Sequence, residues 1–212
     1  MLTRRLFSYT LLSTLALIVA QIIFKPAIRF IDLKVYHFIA LATQNNHLLT
    51  ISAAFISNLL DPALLLIVMV MLSIGFSIKQ RTFLPLSFAF FACLAGLSST
   101  VLKLIVHEPR PLTMLIHENG YSFPSGHSTM AAFALITLIL LLHRQFTGQA
   151  WLPIVLTALV LLLFALGLSR LILQVHYLFD ILCGMSLGSC LAIMNYSLYT
   201  DINGYIKAYH HE

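Results

Sequence analysis

Residues 151–180 read WLPIVLTALVLLLFALGLSRLILQVHYLFD. The first part of this stretch, Trp151–Gly167, contains no charged residue and has the length that an α-helix needs to cross the hydrocarbon core of a bilayer. The part that follows contains Arg170, His176 and Asp180, three ionisable side chains close to the end of the predicted span. Such groups are costly to hold at membrane depth and usually mark a function. The stretch therefore predicts a membrane-spanning helix that leads into a polar site.

The composition of the whole chain is that of a membrane protein. Of its 212 residues, 60% are hydrophobic and only 9% are charged, and the mean hydropathy is +0.95. Soluble domains carry about 25% charged residues, and a chain of this length cannot bury so much apolar surface in one core. The net charge of +5 comes from scattered Lys and Arg residues without a basic stripe, so the sequence does not predict nucleic acid as a partner.

Six apolar runs are long enough to span a bilayer. We therefore predict an all-α, polytopic membrane protein with six transmembrane helices, in which residues 1–212 form a single domain. The runs are Leu6–Phe24, Asp61–Ile78, Phe83–Val106, His127–Leu142, Trp151–Gly167 and His176–Tyr199. The first run lacks a small-residue cleavage site before Lys25, which favours a retained helix over a signal peptide.

The segment between the first two runs, residues 25–60, is mixed in character. Its apolar residues recur at helical spacing with charged residues between them, which predicts either an amphipathic helix at the interface or a peripheral helix packed on the bundle. The second span could start as early as Leu48. Asp61 and Pro62 favour the later start, because Asp is a good N-cap and Pro suits the first helical position.

Small residues inside the apolar runs have a packing interpretation. The three cysteines, Cys93, Cys183 and Cys190, are predicted to be small buried hydrophobes, not a disulfide framework or a metal site. Gly184 and Gly188 are four residues apart, a spacing that permits close helix packing either within one chain or between two chains.

The orientation depends on the Lys and Arg residues of the short loops. With the N-terminus inside, six of these residues lie on each side of the membrane. Lys103, Arg110 and Arg170 lie on the outer side and are better explained as site residues, which leaves six cations inside against three outside. We therefore predict a protein of the cell membrane, inner or plasma, whose polar site faces outward.

The alternation of six spans brings three distant segments to this outer side. Each of them holds unusual polar residues, which are Lys103 and Arg110 in the first segment, Ser125 and His127 in the second, and Arg170, His176 and Asp180 in the third. Three cations, two histidines and a carboxylate predict an anion site with acid–base chemistry. The cations fit a phosphate in particular.

These segments resemble the three signature motifs of the type 2 phosphatidic acid phosphatase (PAP2) superfamily, which also includes the vanadium haloperoxidases. Residues 103–111 read KLIVHEPRP, residues 124–127 read PSGH and residues 169–180 read SRLILQVHYLFD, in the order and with the internal spacing of that superfamily. The resemblance implies a PAP2/haloperoxidase-like helical core and an integral membrane phosphatase. Tyr177-Leu178-Phe179 departs from the small residue or proline that members often carry there, which affects the expected pocket shape and not the catalytic pair.

The resemblance also implies a role for each site residue. His176 is the expected nucleophile and forms a phosphohistidine, while Asp180 accepts a hydrogen bond from one ring nitrogen and leaves the other free to attack. On a helix, the spacing of these two residues would place them on one face. His127 is the expected general acid and base. The residues expected to bind phosphate are Lys103, Arg110, Ser125, Gly126 and Arg170. No metal and no other cofactor is expected.

Several functions use the same residues. The small size and minimal loops favour undecaprenyl pyrophosphate as the substrate, followed by phosphatidate or phosphatidylglycerol phosphate and then by a lipid A phosphate. A phosphotransferase would replace water with a lipid or sugar hydroxyl. A non-enzymatic transporter or lipid-binding protein would need the cations but no His–Asp pair. The sequence does not determine the oligomeric state.

Overall fold

The structure, a computed structural model, describes residues 2–44 and 46–209. Within these ranges the chain forms eight helices and no strand. The helices are α1 (Leu2–Ile23), α2 (Lys25–Thr43), α3 (His47–Leu59), α4 (Pro62–Gln80), α5 (Leu86–Val106), α6 (Gly126–Phe146), α7 (Leu152–Ile172) and α8 (Leu178–Tyr209).

Six segments of the described chain are long and apolar enough to cross a membrane. They are Arg5–Ile23, His47–Gln80, Leu86–Val106, Gly126–Phe146, Leu152–Ile172 and Leu178–Tyr205. These segments follow the six predicted runs in number and order, so the predicted all-α fold with six spans is confirmed. That residues 1–212 form one domain stays a prediction.

The second of these segments is divided into two helices at Leu60 and Asp61. The Asp61 carboxylate accepts hydrogen bonds from the amides of Ala63 and Leu64, at 2.9 and 3.1 Å, and Pro62 opens α4. This is the predicted helix start, since an N-cap oxygen satisfies amides that have no partner in the first turn. α4 alone, at about 1.5 Å per residue, is long enough to span the hydrocarbon core.

Residues 25–60 form two helices where the sequence predicts one amphipathic helix. α2 packs against α1, α7 and α8 and buries Ile28 and Asp32. Its other face exposes Phe30, Phe38 and Leu41. α2 therefore has both predicted properties, because one face packs on the bundle and the other is apolar enough for the interface. α3, which packs on α7, was not predicted as a separate helix.

The centre of the bundle is the contact between α6 and α8. A Cβ atom added at Gly184 would lie 2.6 Å from the Ser125 carbonyl oxygen, and one added at Gly188 would overlap the Thr129 carbonyl oxygen. The two glycines therefore permit close packing within this chain, one of the two predicted alternatives. Close packing of α6 and α8 fixes the two helices that carry His127 and Asp180.

The three polar segments meet at one end of this bundle. α5 ends there, α6 and α8 begin there, and α7 ends there. Backbone hydrogen bonds connect them, since the Ser125 amide donates to the Asp180 carbonyl at 3.0 Å and the Ser122 amide donates to the Glu108 carbonyl at 2.8 Å. The starts of α6 and α8 are thereby held side by side, and the loop before α6 is joined to the segment that follows α5.

Candidate active site

His176 and Asp180 lie at the junction of α7 and α8. The sequence interpretation places both residues on one helix, but α8 begins only at Leu178, so His176 belongs to the preceding connection. That connection turns at Gln174, whose φ of 56° lies in the left-handed region, and this conformation ends α7. The prediction of a helical face shared by the two residues is therefore wrong, although the turn still brings them together.

The carboxylate of Asp180 is oriented by its own backbone segment. Its Oδ2 atom accepts a hydrogen bond from the Tyr177 amide at 2.9 Å and lies 3.5 Å from His176 Nδ1. Both side chains are buried, with only 1% of each exposed. A small ring rotation would complete a hydrogen bond from Nδ1–H to Asp180, which would leave Nε2 as the acceptor nitrogen.

The other ring nitrogen of His176 faces the cations of the site. Nε2 lies 3.4 Å from Nη1 of Arg110. The pKa of His176 is well below its ordinary value, first because the ring is buried and then because the charges of Arg170, Arg110, Lys103 and His127 act on it. His176 is thus neutral at physiological pH, which is the form of an imidazole that can act as a nucleophile.

Arg110 is held by backbone carbonyl groups. Its Nε donates to Gly120 at 3.1 Å, Nη1 donates to Val175 at 2.9 Å, and Nη2 donates to Asn119 at 3.1 Å. These acceptors come from two loops, so the guanidinium joins the loop before α6 to the connection after α7. Its position beside His176 is consequently fixed by three hydrogen bonds, as a preorganised anion-binding group requires.

Arg170 is buried completely. Its Nη1 donates to the Ser57 hydroxyl at 2.5 Å, and its Nη2 donates to Glu118 Oε1 at 2.5 Å. Glu118 Oε2 lies 3.6 Å from Nη2 of Arg110, so this carboxylate connects two of the cations that the sequence assigns to phosphate. The sequence analysis missed Ser57 and Glu118. The sequence did offer a signal for Glu118, because it is one of only seven acidic residues and lies in the loop between Arg110 and Ser125.

Lys103 approaches the site from the last turn of α5. Its Nζ donates to the carbonyl of Tyr121 at 2.7 Å and to that of Ser122 at 3.3 Å. The ammonium group thus holds the loop segment that precedes Ser125 in place. Its charge also acts on His176. All three predicted cations therefore converge on the predicted nucleophile.

Ser125, Gly126 and His127 form the start of α6. The Ser125 hydroxyl is the N-cap, since its oxygen accepts a hydrogen bond from the Ser128 amide at 3.3 Å. A Cβ atom at Gly126 would meet only Ser99 Oγ, at an ordinary 3.7 Å, so packing within the protein does not require glycine there. A phosphate contact of Ser125 or Gly126 stays a prediction. The free amides of this helix start do favour an anion.

His127 also contacts the start of α4. Its Nε2 lies 3.9 Å from Asp61 Oδ2, and its charge acts on both His176 and Glu118. The sequence analysis identified Asp61 only as a helix cap. Asp61 thus has two roles in the structure, because one carboxylate oxygen caps α4 and the other faces His127.

A second group of residues, outside the cation cluster, contacts the segment that contains His176 and the start of α8. Asp32 of α2 accepts a hydrogen bond from the Phe179 amide at 3.0 Å, and the guanidinium of Arg29 lies 4.2 Å from the centre of the Tyr177 ring. Glu108 forms ion pairs with Lys25 and Arg29 at 2.9 and 3.0 Å. α2 is therefore attached to both the first and the third polar segment.

The arrangement of the His, Cys, Asp and Glu side chains also bears on metal binding. Over residues 2–44 and 46–209, no group of three or more His, Cys, Asp or Glu side chains is arranged to hold a metal ion. The positive charges of Arg170, Arg110 and Lys103 near His176 would also repel a metal cation. A metal-free reaction stays a prediction.

The comparisons with known proteins agree with these motifs. The family model described as the PAP2 superfamily matches residues 84–203. Phosphatidylglycerophosphatase B of Bacillus subtilis is 38% identical over 95 residues, which are 43% of this chain and 46% of that protein. The bacitracin transport permease protein BcrC of Bacillus licheniformis is 39% identical over 80 residues, 38% of this chain and 34% of that protein. The matches thus span less than half the length of these two relatives.

Two solved structures share the fold. The crystal structure of the transmembrane PAP2-type phosphatidylglycerolphosphate phosphatase from Bacillus subtilis has a TM-score of 0.80 and 25% identity, and the match covers 92% of this chain and 96% of that chain. LpxE of Aquifex aeolicus has a TM-score of 0.52 and 23% identity over 76% of this chain and 93% of that chain, which shows a shared fold alone. Because the family model covers more than half of the sequence and includes all three polar segments, the chain belongs to the PAP2 superfamily.

Proposed function

We propose that the protein is a membrane lipid phosphatase that uses His176 as its nucleophile. The observation that supports this proposal most strongly is the environment of His176, whose Nδ1 faces Asp180 while Nε2 faces Arg110. A binding protein or transporter needs cations for an anion, but it does not need a buried neutral histidine between a carboxylate and those cations. The similar sequence and the similar crystal structure from Bacillus subtilis both carry the name of a phosphatidylglycerolphosphate phosphatase, which supports the same reaction class.

The reaction proceeds in two displacements. His176 Nε2 attacks the terminal phosphorus, the bond from phosphorus to the lipid oxygen breaks, and His127 donates a proton to that oxygen. Water then attacks the phosphohistidine as His127 takes one of its protons, which releases inorganic phosphate and restores His176. Lys103, Arg110 and Arg170 stabilise the charge on the phosphoryl oxygens in both steps.

The substrate is proposed to be a lipid that stays in the bilayer while its phosphate enters the site from the outer side. Among such lipids, undecaprenyl pyrophosphate is the first candidate, because most of the loops that connect the described helices are short and would make few contacts with an elaborate headgroup. Phosphatidylglycerol phosphate is the second candidate, and it is favoured by the name of the Bacillus subtilis relative and by that of the Bacillus subtilis crystal structure.

Phosphate release tests this proposal. The full chain, purified in detergent with EDTA present, is expected to release inorganic phosphate from at least one of the two lipids, and a His176→Ala variant that remains folded is expected to lose this activity. Retained activity in His176→Ala would contradict the mechanism. Transfer of phosphate to an added hydroxyl compound without release of free phosphate would assign the chain to the phosphotransferases.

The outward orientation has its own test in intact cells. His117 lies exposed in the loop beside the site. After replacement of Cys93, Cys183 and Cys190, a cysteine substituted at this position is expected to react with a maleimide that does not cross membranes. Protection in intact cells, together with reaction after lysis, would place the site on the inner side.

A further inference from the structure

Glu118 has a position that the proposed reaction does not explain. Its carboxylate connects Arg170 and Arg110, with Oε1 at 2.5 Å from Arg170 Nη2 and Oε2 at 3.6 Å from Arg110 Nη2. Both guanidiniums belong to the motifs that define the phosphate site. A negatively charged side chain of the protein thus lies on the two groups that the substrate needs.

The carboxylate is in its charged form in this position. Partial burial alone would raise the pKa of Glu118, but the hydrogen bond and charge of Arg170, with the charges of His127 and Arg110, hold this pKa below its ordinary value. An ionised carboxylate and a phosphoryl group accept hydrogen bonds from guanidinium in the same planar, two-donor geometry. Glu118 is therefore a chemical substitute for one edge of a phosphate.

Glu118 is also placed where it can move away. Its side chain is 23% exposed, whereas the side chains of Arg170 and Arg110 are 0% and 8% exposed. The next two residues, Asn119 and Gly120, are exposed, and Gly120 has a positive φ of 74°. The arginines are thus fixed by burial and by backbone acceptors, while the carboxylate lies on the accessible side of the pair.

We propose that Glu118 occupies the place of a phosphoryl group on Arg110 and Arg170 and must be displaced by the substrate, so that an anion binds only if the two arginines attract it more strongly than they attract the carboxylate. The inference rests on the proposed lipid phosphatase function and specifies which phosphates that site accepts. An enzyme of this kind must keep abundant lipids out of its site, since most membrane phospholipids are phosphodiesters that carry a single negative charge on the phosphate.

The selection follows from charge balance. A phosphate monoester carries about −1.5 to −2 charge near pH 7. When a singly charged diester displaces Glu118, the arginine pair exchanges one anion of charge −1 for another, and the released carboxylate loses its hydrogen bonds. When a terminal phosphate with about two charges displaces it, the attraction to the cations increases. The cost of displacing the carboxylate is the same for both anions, so a diester that is attracted no more strongly than Glu118 stays outside the site while a monoester or pyrophosphate still binds.

A purely structural role makes a different prediction. If Glu118 only holds Arg170 in place, its removal weakens every anion to a similar extent. The discriminating quantity is therefore the direction of the change in affinity, because competition predicts that both anions bind more tightly once the carboxylate is removed. This direction is independent of total activity and of modest losses in stability.

The test uses two small anions and the full chain in detergent. Dimethyl phosphate is the singly charged probe and inorganic phosphate near pH 8 is the doubly charged one. Binding of each probe is measured by the shift in thermal unfolding temperature, and inhibition is measured against the lipid that the unaltered chain hydrolyses. Glu118→Gln removes the charge at similar size. Glu108→Gln is the matched control, since it removes the same charge in the same loop from a residue whose ion pairs are with Lys25 and Arg29.

Glu118→Gln is expected to bind dimethyl phosphate at least about tenfold more tightly, which is the effect of one charge-assisted hydrogen bond removed from the competitor. Inorganic phosphate is expected to gain by a similar factor, while Glu108→Gln keeps the affinities of the unaltered chain. Phosphatidylglycerol in mixed micelles is expected to become an inhibitor of Glu118→Gln only. Unchanged or weaker binding of both anions by Glu118→Gln would overturn the proposal.

A second variant and a measurement that needs no turnover keep the test decisive. If Glu118→Gln does not fold, Glu118→Asp keeps the negative charge but shortens the reach to Arg170, and both anions are expected to bind it more tightly than they bind the unaltered chain. Unaltered or weaker binding by Glu118→Asp would then contradict the proposal. The binding measurement needs no turnover, so a failure of the proposed lipid phosphatase activity is recognised separately from a failure of the role of Glu118.

Discussion

At the residue scale, the account depends on the environment of one imidazole ring. His176 is buried between a carboxylate and a guanidinium, and both are fixed by backbone groups, Asp180 by the Tyr177 amide and Arg110 by three carbonyls. Fixed neighbours need no rearrangement as charge develops, which is the main electrostatic advantage of an enzyme site over water. The ring is thereby oriented and adjacent to the cations that we propose bind phosphate.

Replacement of Asp180 by Asn tests the orienting role of the carboxylate. Asn cannot stabilise the positive charge that develops on His176 and can hold the ring in the wrong tautomer, so kcat is expected to fall by about 10²–10⁴-fold with a small change in KM. Initial rates of phosphate release measure both parameters.

Asp201→Asn, the same change near the far end of α8, is the control for Asp180→Asn and is expected to keep the original rate. Unfolding temperatures near that of the unaltered chain would show that both variants are intact. A kcat reduced less than about fivefold in Asp180→Asn would remove the carboxylate from the mechanism.

At the element scale, α6 and α8 determine the geometry of the site. α6 begins with the predicted anion-binding residues and α8 begins just after His176, and Gly184 and Gly188 let the two backbones approach. The Ser125 amide donates to the Asp180 carbonyl, which joins the two helix starts directly. A change in the separation of these helices must therefore move His127 relative to His176.

Gly188→Ala tests this dependence on close packing. A methyl group at this position would overlap the Thr129 carbonyl and lie 2.9 Å from Ala132 Cβ, so α8 must shift. Overpacking of this kind costs about 1–3 kcal/mol of unfolding free energy, and activity is expected to fall with it. Thermal unfolding in detergent and phosphate release are the two measurements.

Gly204→Ala is the control in the same helix, because a Cβ atom there meets nothing within 4 Å. Alanine is the better helix former, so this variant is expected to be as stable as the original chain or more stable by about 0.5–1 kcal/mol. Equal unfolding temperatures for the two glycine variants would contradict the packing argument.

Sequence patterns predicted the elements better than they predicted the contacts between them. The spans follow from composition, and the start of α4 follows from Asp61 and Pro62, because both signals are local in the chain. The separate α3 was missed because its apolar residues continue towards those of α4. The helical spacing of His176 and Asp180 failed because the left-handed turn at Gln174 lies outside any helix.

The candidate site shows the same limit. The predicted cations converge because a known motif set places them together, whereas the pairing of Glu118 with Arg170 joins residues that no local spacing relates. The contacts of Asp32 and Arg29 with the start of α8 are of the same kind. Such contacts depend on how loops and helices pack in three dimensions, and the local patterns of a single sequence do not predict them.

At the scale of the whole molecule, the bilayer explains an exterior that would aggregate in water. Large apolar side chains are exposed along the spans, for example Ile67 and Met71 of α4 and Phe164 of α7, at 56, 67 and 64%. The polar site is concentrated at one end of the bundle, covered by α2 and α3. A lipid can thus keep its tail beside the apolar exterior while its phosphate reaches the buried cations, as the proposed function requires.

The most direct test of the account is to trap the phosphorylated protein. The full chain is mixed with a lipid substrate labelled in its terminal phosphate and quenched with alkali within a single turnover, since phosphohistidine survives alkali but not acid. The His176→Ala variant is treated in the same way. The account predicts label on the peptide that contains His176 in the unaltered chain, and none in His176→Ala. Label on a different residue, or rapid phosphate release with no labelled protein in any variant, would contradict the central claim.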